Sequence, residues 1–108
     1  MQSELVMKLG PVEVSMQEIR AFCEKWKLDE LSLFGSALRD DFSPVSDIDV
    51  LIHFAPGNQM SLESFIEMRD QLSTLFGGRN IDLVERQLVK NPFRRHEILT
   101  TRKVLYAA

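Results

Sequence analysis

Residues Leu33 to Phe54 read LFGSALRDDFSPVSDIDVLIHF, and the fold turns on how the two ends of this stretch are joined. From Asp47 to Phe54 the chain alternates with the two-residue period of a strand. Ile48, Val50, Ile52 and Phe54 fall on one side, and Asp47, Asp49, Leu51 and His53 on the other. Leu31 to Phe34 is a second, shorter strand that runs straight into Gly35-Ser36. Ala37 to Asp41 can begin a helical turn, which Ser43-Pro44 interrupts. Two strands are therefore joined by a glycine-serine turn at one end and an aspartate pair at the other.

Working outward, Ser15 can cap a helix, with Glu18 three residues later, and Met16, Ile19, Phe22, Cys23 and Trp26 recur at helical spacing. Residues 1–14 show no strong period and contain Gly10-Pro11, so they read as an N-terminal arm, with room for local order, before a domain spanning 15–108. Beyond the turn Ala55-Pro56-Gly57-Asn58, Ser61 caps a helix that buries Leu62, Phe65, Ile66, Leu72, Leu75 and Phe76 and stops at Gly77-Gly78. Asn80 to Arg86 is another strand, Asn91-Pro92 opens a short helix to about Thr100, and Val104-Leu105-Tyr106 closes the chain as an edge strand. Strands interleaved with helices predict an α/β (α+β) fold, a small sheet flanked by helices.

The composition limits what such a domain can do. At 108 residues there is room for one core but not for separate catalytic and acceptor-binding domains, so another molecule must help to grip whatever is acted on. A net charge of -3 and a pI near 5.3 argue against nucleic acid as the main partner, because tracking phosphates needs a basic stripe. The lone Cys23 sits in a helical pattern and reads as a buried thiol in a reducing cytoplasm. No apolar run reaches the ~18 residues that would cross a bilayer, and the N-terminus lacks a basic-then-apolar signal.

The aspartates carry the chemistry. Positions i and i+2 of a strand face the same way, which puts the Asp47 and Asp49 carboxylates within about 7 Å of each other. Mg²⁺ takes oxygen ligands, often one or two carboxylates together with substrate phosphates, and would convert their repulsion into binding. Asp82 interrupts the apolar run Ile81-Asp82-Leu83-Val84 and is the third candidate. Three carboxylates could hold two such ions, the arrangement that stabilises both the attacking and the leaving oxygen in phosphoryl chemistry. Gly35 would then let the backbone approach a phosphate, Ser36 and neighbouring N–H groups would donate to it, and Arg39 would add charge-assisted bonds.

The run Gly35-Ser36-Ala37-Leu38-Arg39, the eleven-residue step from Ser36 to Asp47, the segment Ser46-Asp47-Ile48-Asp49-Val50 and the later Asp82 resemble the nucleotidyltransferase superfamily related to DNA polymerase β. The small size resembles its minimal nucleotidyltransferase (MNT) domains, commonly encoded as antitoxins beside HEPN ribonuclease toxins. The resemblance implies a mixed sheet and Mg²⁺-dependent transfer of a nucleoside monophosphate, with pyrophosphate leaving. Carried over position by position, it makes Gly35, Ser36, Arg39 and Ser46 nucleotide-binding and Asp47 and Asp49 metal ligands. Asp82 would complete the metal site and help to activate the acceptor hydroxyl. In the MNT antitoxins the group transferred is AMP from ATP, and the acceptor is typically a tyrosine of the partner toxin. One position departs from the pattern: Asp40 stands where these domains often carry glycine, and with Asp41 it adds negative charge near a triphosphate. The alternative this keeps open is a catalytically weak binding subunit that neutralises its partner by occlusion.

Other candidates read as structure. His53, about 13 Å along its strand from Asp49, reads as an edge or surface histidine. His96-Glu97 lacks the second histidine of a zinc-protease helix, since Thr100 occupies that position. Arg94, Arg95, Arg102 and Lys103 read first as the solvated face and C-terminal cations of a helix, with a partner or RNA contact as the alternative.

Overall fold

A computed structural model describes residues 5–9, 12–38, 47–59 and 61–108. The chain runs β1 (Val6–Leu9), β2 (Val12–Ser15), α1 (Met16–Trp26), β3 (Leu28–Phe34), a 3₁₀ turn (Gly35–Leu38), β4 (Ile48–Phe54), α2 (Leu62–Leu75) and β5 (Ile81–Glu85). A second 3₁₀ turn (Arg86–Leu88), α3 (Pro92–Thr101) and β6 (Lys103–Ala107) complete it. The helix starts follow the expected caps. Ser15 Oγ accepts from the Glu18 N–H at 3.1 Å, Ser61 Oγ from the Ser64 N–H at 3.1 Å, and Asn91 Oδ1 from the N–H groups of Phe93 and Arg94 at 3.0 and 3.2 Å.

Four strands make one mixed sheet in the order β5-β4-β3-β6. β4 is parallel to β5 and antiparallel to β3, and β6 pairs antiparallel with the outer edge of β3. The alternation read from residues 47–54 holds: Ile48, Val50, Ile52 and Phe54 join Leu31, Leu33, Ile81 and Leu83 in the main core. α1 and α2 close that core with Ile19, Phe22, Cys23, Met68 and Leu72, and Phe76 is wholly buried where α2 ends. Burial on this scale contributes about 1.5–3 kcal/mol for each large side chain, so one sheet face accounts for most of the stabilisation. The other face is smaller: Phe34 and Leu51 pack against Ile98 of α3, with Val84, Val89 and Leu99 around them.

Three stretches differ from the sequence expectation, the first being α2, where Leu62 and Ile66, expected in the buried stripe, are exposed and Met68 is buried instead. Within residues 1–14, read as an arm, β1 and β2 pair as an antiparallel hairpin in which Leu9 and Val14 enter the main core. Strand β3 begins at Leu28 rather than Leu31, because Lys27 turns the chain abruptly. Its φ of 60° ends α1, its N–H donates to the Cys23 and Glu24 carbonyls, and the next residue is already in the sheet. The polar Asp29 and Glu30 that hid this start are each paired. At a β-bulge, Asp29 Oδ1 lies 2.6 Å from His53 Nδ1. His53 is therefore a half-buried, partnered residue and not a surface histidine.

Glu30 sits deeper, on the face covered by α3. Arg102 grips it with two nitrogens, Nε to Oε2 at 2.6 Å and Nη2 to Oε1 at 3.2 Å. The buried Ser32 hydroxyl donates to Oε2 at 2.9 Å, and Arg86 Nη1 stands 3.6 Å from Oε1. Arg102 also donates to the Leu99 carbonyl, and Arg95 to the Arg86 carbonyl at 2.9 Å. Arg102 thus fastens the end of α3 to the sheet and Arg95 fastens the helix to the second 3₁₀ turn, leaving Arg94 and Lys103 exposed. Burial alone would raise the Glu30 carboxyl, but the bonds from Arg102 and Ser32 and the charges of Arg102 and Arg86 outweigh it and hold the group below the ordinary carboxylate value. Burial dominates at Cys23, where the thiol is pushed up to about 12, with Glu24 adding to the effect.

Candidate active site

The parallel register of β4 with β5 sets Asp49 directly beside Asp82, on the same sheet face as Leu51 and Val84. Asp82 is exposed and Asp49 half-buried, so both carboxylates lie where that face runs out of apolar cover. On the other flank of Asp49 its antiparallel partner is Phe34, the last residue of β3. Gly35 comes next, with φ +65, and its backbone lies against the Asp49 carboxylate. A Cβ placed there would collide with Asp49 Oδ2 and stand 3.2 Å from its Cγ. Glycine is required twice over, by the left-handed backbone and by the carboxylate that occupies the side-chain position.

Gly35→Ala is expected to lower stability by about 1–2 kcal/mol from backbone strain alone, a fall in Tm of the order of 4–8 °C for each kcal/mol. Thermal melts check this, and an alanine variant with unchanged melting would show that neither the backbone nor Asp49 resists the added methyl.

Asp47 is exposed and stands one residue ahead of β4. It forms part of the wall of a cavity of about 420 Å³, completed by Arg69, Asp70 and Ser73 of α2 and by Asn80 and Ile81 at the start of β5. This wall is fixed to the sheet, since the Ile48 N–H donates to the Asn80 carbonyl at 2.9 Å and Ser73 Oγ to the Arg79 carbonyl at 2.7 Å. Gly35 and Ser36 open the 3₁₀ turn after β3. Arg39 and Ser46, the other two expected nucleotide contacts, lie outside the described residues. Among the described residues no three His, Cys, Asp or Glu side chains converge closely enough to hold a metal unaided.

Sequence reasoning did not find Arg69, Asp70, Ser73 or Asn80. The three on α2 belong to the polar side of an amphipathic helix, where nothing in the pattern separates a cavity wall from a solvated face. Asn80 reads as a strand boundary.

The Nucleotidyltransferase domain family matches residues 16–105. A relative from Methanocaldococcus jannaschii, named "Putative protein adenylyltransferase", is 31% identical over 86 residues, which is 80% of this chain and 85% of its own. Two solved structures share the fold. A toxin–antitoxin complex crystallised with AMP-PNP has a TM-score of 0.68 at 20% identity, covering 86% of this chain and 73% of its own. A tri-AMPylated Shewanella oneidensis HEPN toxin in complex with its MNT antitoxin has a TM-score of 0.60 at 19% identity, covering 86% and 70%. The matched span contains Gly35, Asp47, Asp49 and Asp82 and nearly every element of the sheet and its helices, and on it the chain belongs to the nucleotidyltransferase domain family.

Proposed function

We propose that the chain is a Mg²⁺-dependent protein adenylyltransferase that moves AMP from ATP to a hydroxyl of a partner protein, the partner being a small helical toxin of the HEPN kind. The observation that carries this reading is the side-by-side placement of Asp49 and Asp82 with the Gly35 backbone pressed against the first of them. An all-oxygen donor set of two or three carboxylates suits Mg²⁺, which usually completes its shell with water and substrate phosphate rather than with a full protein cage. A site of this kind needs no third tightly converged ligand before the nucleotide arrives. The family resemblance and the relative named for adenylyl transfer support the same reading.

Asp47 and Asp49 would hold the metal, with Asp82 completing the set. When bound, Mg²⁺ would neutralise the triphosphate and the charge that develops on it. The acceptor hydroxyl oxygen forms a bond to the α-phosphorus while the bond from that phosphorus to the α–β bridging oxygen breaks. Pyrophosphate leaves with the bridging oxygen, and the hydroxyl proton passes to the Asp82 carboxylate. Gly35 and Ser36 hold the departing phosphates through backbone N–H groups and the serine hydroxyl, joined by Arg39 and Ser46.

The test is to incubate the whole chain and Mg²⁺ with a small HEPN protein of the proposed kind and ATP labelled on the α-phosphate, then on the γ-phosphate. The α-label should move to the partner, which gains the mass of AMP, while the γ-label appears only in pyrophosphate. Movement of the γ-label, or of neither, would reject adenylyl transfer.

A further inference from the structure

Four large apolar side chains stay in water at the end of the sheet where the parallel strands β4 and β5 finish: Phe93 is 85% exposed, Leu62 77%, Leu88 66% and Ile66 45%. Leu62 and Ile66 belong to the first two turns of α2, which follows β4. Leu88 ends the 3₁₀ turn that follows β5, and Phe93 lies in the first turn of α3, which Arg95 ties back to that 3₁₀ turn. A cavity of about 180 Å³, lined by Phe54, Asn58, Gln59, Glu85, Gln87 and Leu88, separates the two pairs. Asp49 and Asp82 lie toward the opposite end, at the starts of the same strands.

The two pairs carry opposite charge. Leu62 and Ile66 are each followed by an exposed glutamate, Glu63 and Glu67, and the one cation of α2, Arg69, is drawn over the Phe65 ring. Leu88 and Phe93 stand with the exposed cations Lys90 and Arg94, and the first turn of α3 has no acidic residue. Among the described residues no ion pair holds Glu63, Lys90 or Arg94, and Glu67 has only the exposed Lys25 at 4.0 Å. α2 covers one face of the sheet and α3 the other, so the acidic pair lies to one side of the sheet end and the basic pair to the other.

We infer that this end of the sheet is a homodimer interface, occupied by the same end of a second copy of the chain. A half-turn about an axis in the plane of the sheet and across its strands brings two such ends together and exchanges their faces. The acidic pair of each copy then meets the basic pair of the other, twice over, which is the isologous contact of a closed dimer. The amides of Asn58, Gln59 and Gln87 fall near that axis, and because an amide both donates and accepts, each can bond to its own counterpart. Exposed apolar groups rimmed by charge are what such a contact removes from water. The patch is at the small end of interface sizes, so association is expected in the micromolar range. Both candidate active sites remain open at the far ends of the dimer.

Sedimentation equilibrium of the whole chain tests this. Wild type should reach twice the monomer mass at submillimolar concentration. Phe93→Glu, the pair Glu63→Lys with Glu67→Lys, and the pair Lys90→Glu with Arg94→Glu should each weaken self-association at least tenfold, with thermal melts showing the fold intact. Mixed in equal amounts, the two charge variants should dimerise with each other, because both contacts of the mixed pair join opposite charges. A misfolded chain would not recover in this way. Wild type that stays monomeric would overturn the inference, as would a dimer that all three variants leave intact or a mixture that fails to recover. A monomeric wild type whose Phe93→Glu variant no longer binds the HEPN protein would assign the surface to that protein instead.

Discussion

Asp49→Asn is expected to lower AMP transfer by on the order of 10³-fold with little change in thermal stability. The amide has the shape of the carboxylate, so packing against Gly35 and the register with Asp82 survive. What disappears is a full negative charge at the point where Asp49 is flanked by β3 and β5. Metal-assisted stabilisation of the transferring group is worth several kcal/mol, and at about 1.36 kcal/mol per tenfold a loss near 4 kcal/mol gives the stated factor. Labelled-ATP transfer assays beside thermal melts separate the effects, and transfer within tenfold of wild type would take Asp49 out of the chemistry. The same variant decides between catalysis and occlusion. If it silences the partner as well as wild type does, modification is not how the partner is controlled.

Arg102→Ala carries the largest expected effect on stability, a loss of about 3–5 kcal/mol from a total of roughly 5–15 kcal/mol for a domain of this size. The side chain ties α3 and the start of β6 to Glu30, whose side chain is only 12% exposed. Removing the guanidinium leaves the carboxylate with the Ser32 hydroxyl and the more distant Arg86, 3.6 Å from Oε1. Urea titration should show the midpoint falling by about 1–5 M, given slopes near 1–3 kcal/mol per M. Acid should close the gap. The Glu30 carboxyl is held below its ordinary 4.5 in the folded protein, so its contribution is fully present above that pH and is lost as the pH falls through the lower folded value. Wild type and variant should therefore converge in stability once the pH falls below that lowered folded value, and a second change, Glu30→Gln, should restore part of the loss at neutral pH. Equal midpoints at pH 7 would show that the grip contributes nothing.

How much of this was legible in the chain depended on distance along it. The alternation over residues 47–54, the caps Ser15, Ser61 and Asn91, and the step from Ser36 to Asp47 are local patterns, and they placed β4, all three helices and the candidate carboxylates. The β1–β2 hairpin escaped because four residues per strand are too few to establish a period. The start of β3 escaped because Asp29 and Glu30 look like loop residues until their partners are known. Arg102 lies 72 residues from Glu30, and no local pattern records a pairing at that separation. The cavity is assembled from β4, α2 and β5, so only the tertiary arrangement reveals that Asn80 faces Arg69 and Asp47.

Because β4 lies inside the sheet, with β3 on one side and β5 on the other, its amides are tied along both edges. Opening such a strand means disrupting nearly the whole domain, whereas β6 can peel away alone. Asp49 is thereby carried on backbone that is hydrogen-bonded on both sides, while the freedom to move is left to the rim of the sheet.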